Sequence, residues 1–137
     1  MKTNGLLTFI LLLALAGVSC GHDGGKSRKA DASIAFDTIS HDFGEVPFSE
    51  KAEFEFVFTN SGEAPLILSH VKSTCGCTVP EWSKEPVKPG REGIIRVKYD
   101  THRVGRFAKS IYVYSNATNG VQRLTITGVV NGSDVNP

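Results

Sequence analysis

The sequence predicts an all-β protein, an antiparallel β-sandwich of about seven strands built on roughly 100 residues. Three observations lead there. Apolar residues alternate with polar ones from Ser33 onward instead of recurring at helical spacing. Clusters of Gly, Pro, Asn and Ser punctuate the chain at intervals of roughly eight to twelve residues. No stretch calls for a helix longer than a turn. A small barrel is the alternative closure of the same strands.

The strands follow in order. Ile34 and Phe36 open the first. His41 to Pro47 reads as a bend, with Gly44 free to take a positive φ and Pro47 unable to donate to a ladder. The clearest strand comes next, because Ala52, Phe54, Phe56 and Phe58 fall on one face while Glu53, Glu55 and Thr59 fall on the other. Asn60 to Pro65 is dense in turn formers, and Leu66 to Val71 resumes the strand pattern. Pro80, Pro86, Pro89 and Gly90 then make Glu81 to Gly90 an irregular crossover under Trp82. Ile95, Val97 and Tyr99 form another alternating strand, Phe107 to Tyr114 another, and Leu124, Ile126 and Val130 the last, with Gly128 on the same face where a side chain lacks room.

Composition sets the broad class. At 137 residues the chain has room for one domain, and its 40% hydrophobic content suffices for one core. Fifteen Lys plus Arg against fourteen Asp plus Glu leave no field of one sign, so nucleic acid is not an expected partner.

Residues 1–19 have the form of a secretory signal: Lys2, a run from Leu6 to Ala16 that is apolar apart from Thr8, then Gly17, Val18 and Ser19 before Cys20. That run is too short for a spanning helix, which takes ~20 apolar residues. The segment resembles a bacterial lipoprotein signal, with Gly17 where Leu is usual, and the resemblance makes Cys20 the lipidated first residue of the mature chain. Cleavage without lipid is the alternative. Residues 20–32 read as the lipidated Cys and a flexible linker, 33–131 as the sandwich domain and 132–137 as a disordered tail. The expected address is the cell envelope, on a membrane through the lipid.

The stretch Thr74-Cys75-Gly76-Cys77-Thr78-Val79-Pro80 is what a generic sandwich does not need. Exported thiols oxidise, so a Cys75–Cys77 disulfide is the first expectation. On a straight strand the two Cα atoms would lie ~6.5–7 Å apart, at or beyond comfortable bridging range, and a turn at Gly76 relaxes that. So small a ring gains only about 1.5 kcal/mol of loop entropy. The alternatives are a redox-active pair, or a soft-metal (copper) site in which His70 is the nearest further ligand and His41 and His102 more distant ones. Met1 is the one methionine, so the thioether cluster of a copper carrier is missing and no resident cofactor or metal is expected. His41-Asp42 and Asp100-Thr101-His102 hold residue types of nucleophilic sites, yet as turn residues they read as caps or solvated pairs.

The ordered series Phe36-Asp37, His41-Asp42-Phe43-Gly44-Glu45-Val46, Asn60-Ser61-Gly62-Glu63-Ala64-Pro65-Leu66, Cys75-Gly76-Cys77-Thr78-Val79-Pro80-Glu81-Trp82 and Pro89-Gly90 resembles the bacterial domain-of-unknown-function family 1573 over about Ser33 to Val130. The resemblance implies an immunoglobulin-like sandwich related to Hydin and major-sperm-protein domains, and a secreted or lipid-anchored protein. It brings no catalytic residues. The expected function is that of a non-enzymatic, lipid-anchored envelope protein whose domain binds or positions a protein or glycan partner. The competing class is a thiol redox or copper-binding protein centred on Cys75 and Cys77.

Overall fold

The computed structural model describes residues 30–132. The expected signal segment, Cys20, all but the end of the expected linker and the expected tail beyond 132 lie outside the described residues. Eight strands follow one another: β1 (Ile34–Phe36), β2 (Ser40–Pro47), β3 (Ala52–Asn60), β4 (Leu68–Ser73), β5 (Thr78–Trp82), β6 (Glu92–Tyr99), β7 (Gly105–Ser115) and β8 (Gln122–Asn131). They form two four-stranded sheets, ordered β1-β3-β6-β5 and β2-β8-β7-β4. Among the described residues there is no helix, and none long and apolar enough to cross a membrane.

The core forms where the inward residues of both sheets meet. Phe56, Phe58, Ile95, Val97, Ile111, Val113, Leu124 and Ile126 are all buried, so the alternation in β3, β6, β7 and β8 does what period-two patterning requires. Phe54, on the same face of β3 as Phe56, is half-buried and stacks on the imidazole of His41, with ring centroids 3.7 Å apart. Gly128 has no side chain because the Phe107 ring crosses it: a Cβ there would lie 2.7 Å from Phe107 Cζ. Phe107 in turn stacks on Tyr99.

Three expectations need correction. The sheets are not wholly antiparallel, because β2 pairs with β8 in parallel. There are eight strands, against six placed individually out of about seven expected; one of those not placed is β2 itself, since the expected bend at His41–Pro47 is a strand with a bulge between Asp42 and Glu45, where Gly44 takes φ 64°. The other is β5, which runs through Pro80 into the start of the expected crossover; as an edge strand it pairs on one side with β6, so a missing N–H is tolerated. The packed chain also starts before Ser33, since Ala32 is buried and bridges Ala117.

Asn60 ends β3 completely buried and ties the rest of the crossover down. Its Nδ2 donates to the carbonyls of Ala64 and Val87, both at 2.8 Å, and its Oδ1 accepts from the Gly62 amide at 3.0 Å. Its own backbone bonds Arg91 and Gly90. One side chain thus pins two loops that are far apart in sequence.

All four sheet edges are interrupted. β1 is three residues long, β5 contains Pro80, β2 carries the Gly44 bulge, and β4 shifts register between Leu68 and His70. Each is a known way of blocking strand addition.

Candidate functional site

β4 closes one edge of its sheet and β5 one edge of the other, so the chain changes sheet within Thr74–Cys77. Cys75 and Cys77 are joined there by a disulfide, with Cα atoms 5.3 Å apart. The Ser73 hydroxyl lies 2.6 Å from the carbonyl oxygens of both Cys75 and Thr78, one donor shared between them. The Asp100 amide donates to the Cys77 carbonyl at 2.8 Å. Cys77 is only 4% exposed and belongs to the core, while Cys75 packs against it half-buried. Chemically, this is a brace that fixes a three-residue corner.

His70 is exposed on β4, where its ring meets the edges of Trp82 and Tyr114 with centroids 6.4 and 6.3 Å away. The Trp82 indole N–H is buried with no acceptor among the described residues. No group of three or more His, Cys, Asp or Glu side chains among the described residues is arranged to hold a metal ion.

The pair Asp100 and His102 acquires a third member that the sequence did not reveal. Ser49 Oγ lies 3.2 Å from His102 Nε2, and His102 Nδ1 lies 3.0 Å from Asp100 Oδ1. The Asp100 carboxyl is held below its ordinary range by the His102 amide and then by the His102 ring. Ser49 has φ 67°, a conformation few non-glycine residues adopt. The order of groups is that of a hydrolase triad, but its setting differs. The His102 side chain is 67% exposed. The amides of Ser49 and Glu50 already donate to Thr101 and Pro47 carbonyls and so are not poised for an oxyanion.

The two outer faces differ in charge pairing. On the β1-β3-β6-β5 sheet, Arg96 pairs with Glu55, and Lys98 with Glu81 and Glu53, which Lys51 also contacts. Val79 and Ile94 are exposed there as well. On the other sheet, the outward residues alternate with buried Phe107, Ile111 and Val113 on β7 and with Leu124 and Ile126 on β8. Register places Lys72, Tyr112 and Arg123 side by side across β4, β7 and β8, and His70 beside Tyr114 one step away. Neither Lys72 nor Arg123 forms an ion pair among the described residues. In the opposite direction the next row is Ser110, Thr125 and Ser40. The carboxylates of this face, Asp42 and Glu45, sit on β2 at the far edge, three strand spacings or ~14 Å from β4. There they border a shallow groove of about 610 Å³ together with Arg106 and Thr127. The Gly44 amide, and then the Thr127 hydroxyl, hold the Asp42 carboxyl below its ordinary range.

A family model described as "Protein of unknown function (DUF1573)" matches residues 34–130. The chain belongs to this family. Among solved structures, the DUF1573 domain described above is similar to a protein of unknown function from Porphyromonas gingivalis W83, with TM-score 0.65 and 17% identity over 73% of this chain. It spans 47% of that protein's length. It is similar also to the ASH/PapD-like domain 7 of human CEP192, with TM-score 0.64 and 11% identity over 76% of this chain and 89% of that one. The YadV chaperone matches with TM-score 0.52 and 11% identity over 77% of this chain and 54% of that one. These likenesses establish the PapD-like, immunoglobulin-like sandwich. A search among curated proteins gave no match.

Proposed function

We propose that the protein is a non-enzymatic module of the bacterial cell envelope, tethered to a membrane by lipid on Cys20, that holds a partner against the outer face of the β2-β8-β7-β4 sheet. The observation that carries this reading is the asymmetry of the two faces. One neutralises its charges internally, whereas the other presents Lys72 and Arg123 beside exposed aromatic rings with no carboxylate among them. Arg123 without an ion pair among the described residues and a Tyr114 that is 39% exposed are residue types enriched at interfaces. Interruption of all four edges favours the face over strand addition as the mode of contact. The exposure of Ser49 and His102 to water and the committed Ser49 and Glu50 amides argue against acyl transfer at Ser49. The Cys75–Cys77 bond is read as a structural brace of the corner, because Cys77 lies in the core.

The test uses a benzophenone amino acid, which inserts into nearby C–H bonds, placed at Tyr114 or at Glu55 on the opposite face in the full chain in cells. Adducts at position 114 and none at 55 are expected; equal labelling or none at either overturns the face as the contact. Fractionation of the Cys20→Ala variant decides the anchor. Release from membranes is expected, and continued sedimentation with them refutes lipid on Cys20.

A further inference from the structure

The face described above specifies more than the existence of a partner, and the chemistry of that partner rests on the same reading. We propose that it binds an acidic polysaccharide, a chain of pyranose sugars bearing carboxylates. Lys72 and Arg123 flank Tyr112 in a single row across three adjacent strands. Neighbouring strands are ~4.8 Å apart, so the two cations stand roughly 10 Å from one another with an aromatic ring between them. One pyranose extends a glycan by about one strand spacing. The carboxylates of two sugars separated by one other therefore meet both cations while the sugar between them lies over the tyrosine.

The surroundings favour sugar over the other anionic polymers. Tyr112, half-buried between the cations, and Tyr114, exposed in the neighbouring row, carry amphipathic rings of the kind that accept the C–H side of a pyranose and bond its polar rim through their hydroxyls. The adjacent row of Ser110 and Thr125 offers hydroxyls that both donate and accept, matching sugar hydroxyls, which also do both, whereas a carboxylate uses only their donors. An acidic peptide would gain most by adding a strand, and the edges that would receive it are blocked by Pro80 and by the bulges in β2 and β4. A lipid surface would call for an apolar cluster among the cations; the row itself holds a tyrosine, the row toward Ser110 holds hydroxyls, and the nearest exposed apolar side chains, Ile67 and Val121, lie just outside the ends of β4 and β8. Backbone strands fix the positions of the row's residues, so binding needs no backbone ordering, and the cost that remains is the rotamer freedom of the Lys72 and Arg123 side chains.

The experiment is affinity electrophoresis and titration calorimetry of the full chain with alginate as the acidic polysaccharide, dextran as a neutral one, polyglutamate as an acidic peptide and phosphatidylglycerol vesicles as an anionic membrane. Binding to alginate that weakens with salt, and no retardation by dextran, are expected. Lys72→Gln with Arg123→Gln should weaken alginate binding about tenfold, and Tyr114→Ala about fivefold, with melting temperatures unchanged. Arg96→Gln on the opposite face should leave it as it was. Polyglutamate or vesicles binding as tightly as alginate, with no effect of Tyr114→Ala, overturns the polysaccharide inference yet leaves the face as a contact surface. No binding to alginate overturns the inference too, and the cross-linking at positions 114 and 55 then decides separately whether the face has any partner.

Discussion

Replacing Asn60 by Ala tests the largest buried polar commitment of the domain. The substitution removes three side-chain hydrogen bonds at a position with no solvent exposure. The Val87 carbonyl keeps a partner, since it also accepts from the Leu66 amide at 2.9 Å. The Ala64 carbonyl and the Gly62 amide keep none among the described residues, and each orphaned buried group costs ~1–3 kcal/mol. The expected loss is therefore about 2–6 kcal/mol, out of a typical total of 5–15 kcal/mol. Asn60→Asp should cost more at neutral pH, because an ionised carboxylate only accepts and would face two carbonyl oxygens at 2.8 Å. Burial raises the folded pKa of such an Asp above its unfolded value, so the variant's extra deficit is smallest below the unfolded pKa and grows as pH rises through the folded one. Urea unfolding followed by fluorescence of Trp82, the one tryptophan, measures both variants across pH. A loss under about 1 kcal/mol for Asn60→Ala, or an Asp variant indifferent to pH, would refute the account of Asn60 as the pin between two loops.

Three further outcomes are expected. Phe56→Ala should cost ~3–5 kcal/mol in the same urea assay, because the ring is fully buried between the sheets. Cys75→Ala with Cys77→Ala should lower the melting temperature by about 5–10 °C, the consequence of losing a small loop restraint, and the native protein should show no free thiol at these two positions under air. Burial against Phe54 holds the His41 pKa below its ordinary value despite the opposing pull of Asp42. The unfolded state therefore takes up the proton first, and stability should fall as pH drops below about 6.5. His41→Phe should flatten that slope in pH-dependent melting, with an unchanged slope counting against the assignment.

β3 was legible because its pattern is local: three phenylalanines at alternate positions need one buried face wherever the strand lies. The parallel pairing of β2 with β8 was not, since its partner is some eighty residues away and nothing in His41–Pro47 encodes direction. Pro80 misled because a proline reads as a stop, and only edge placement makes it compatible with a strand. Asn60 was read as a turn former, and the loop segment it binds through Val87 arrives only after two more strands. The Cys-Gly-Cys corner was visible as a local motif. The face was not, because Lys72, Tyr112 and Arg123 come from β4, β7 and β8 and share a row only through the sheet order. Ser49 escaped notice for the same reason, being brought to His102 by the fold and not by spacing.

The interrupted edges bear also on how many copies can occupy one place. Proteins held on a surface meet their own kind at high local density, where a long flat strand edge would template the edge of its neighbour and begin a continuous cross-β stack. Here a three-residue β1, Pro80 in β5, and irregular β2 and β4 leave each border too short or too bent for that. Edge-to-edge stacking of crowded copies is therefore disfavoured by the same four strands that border the sandwich.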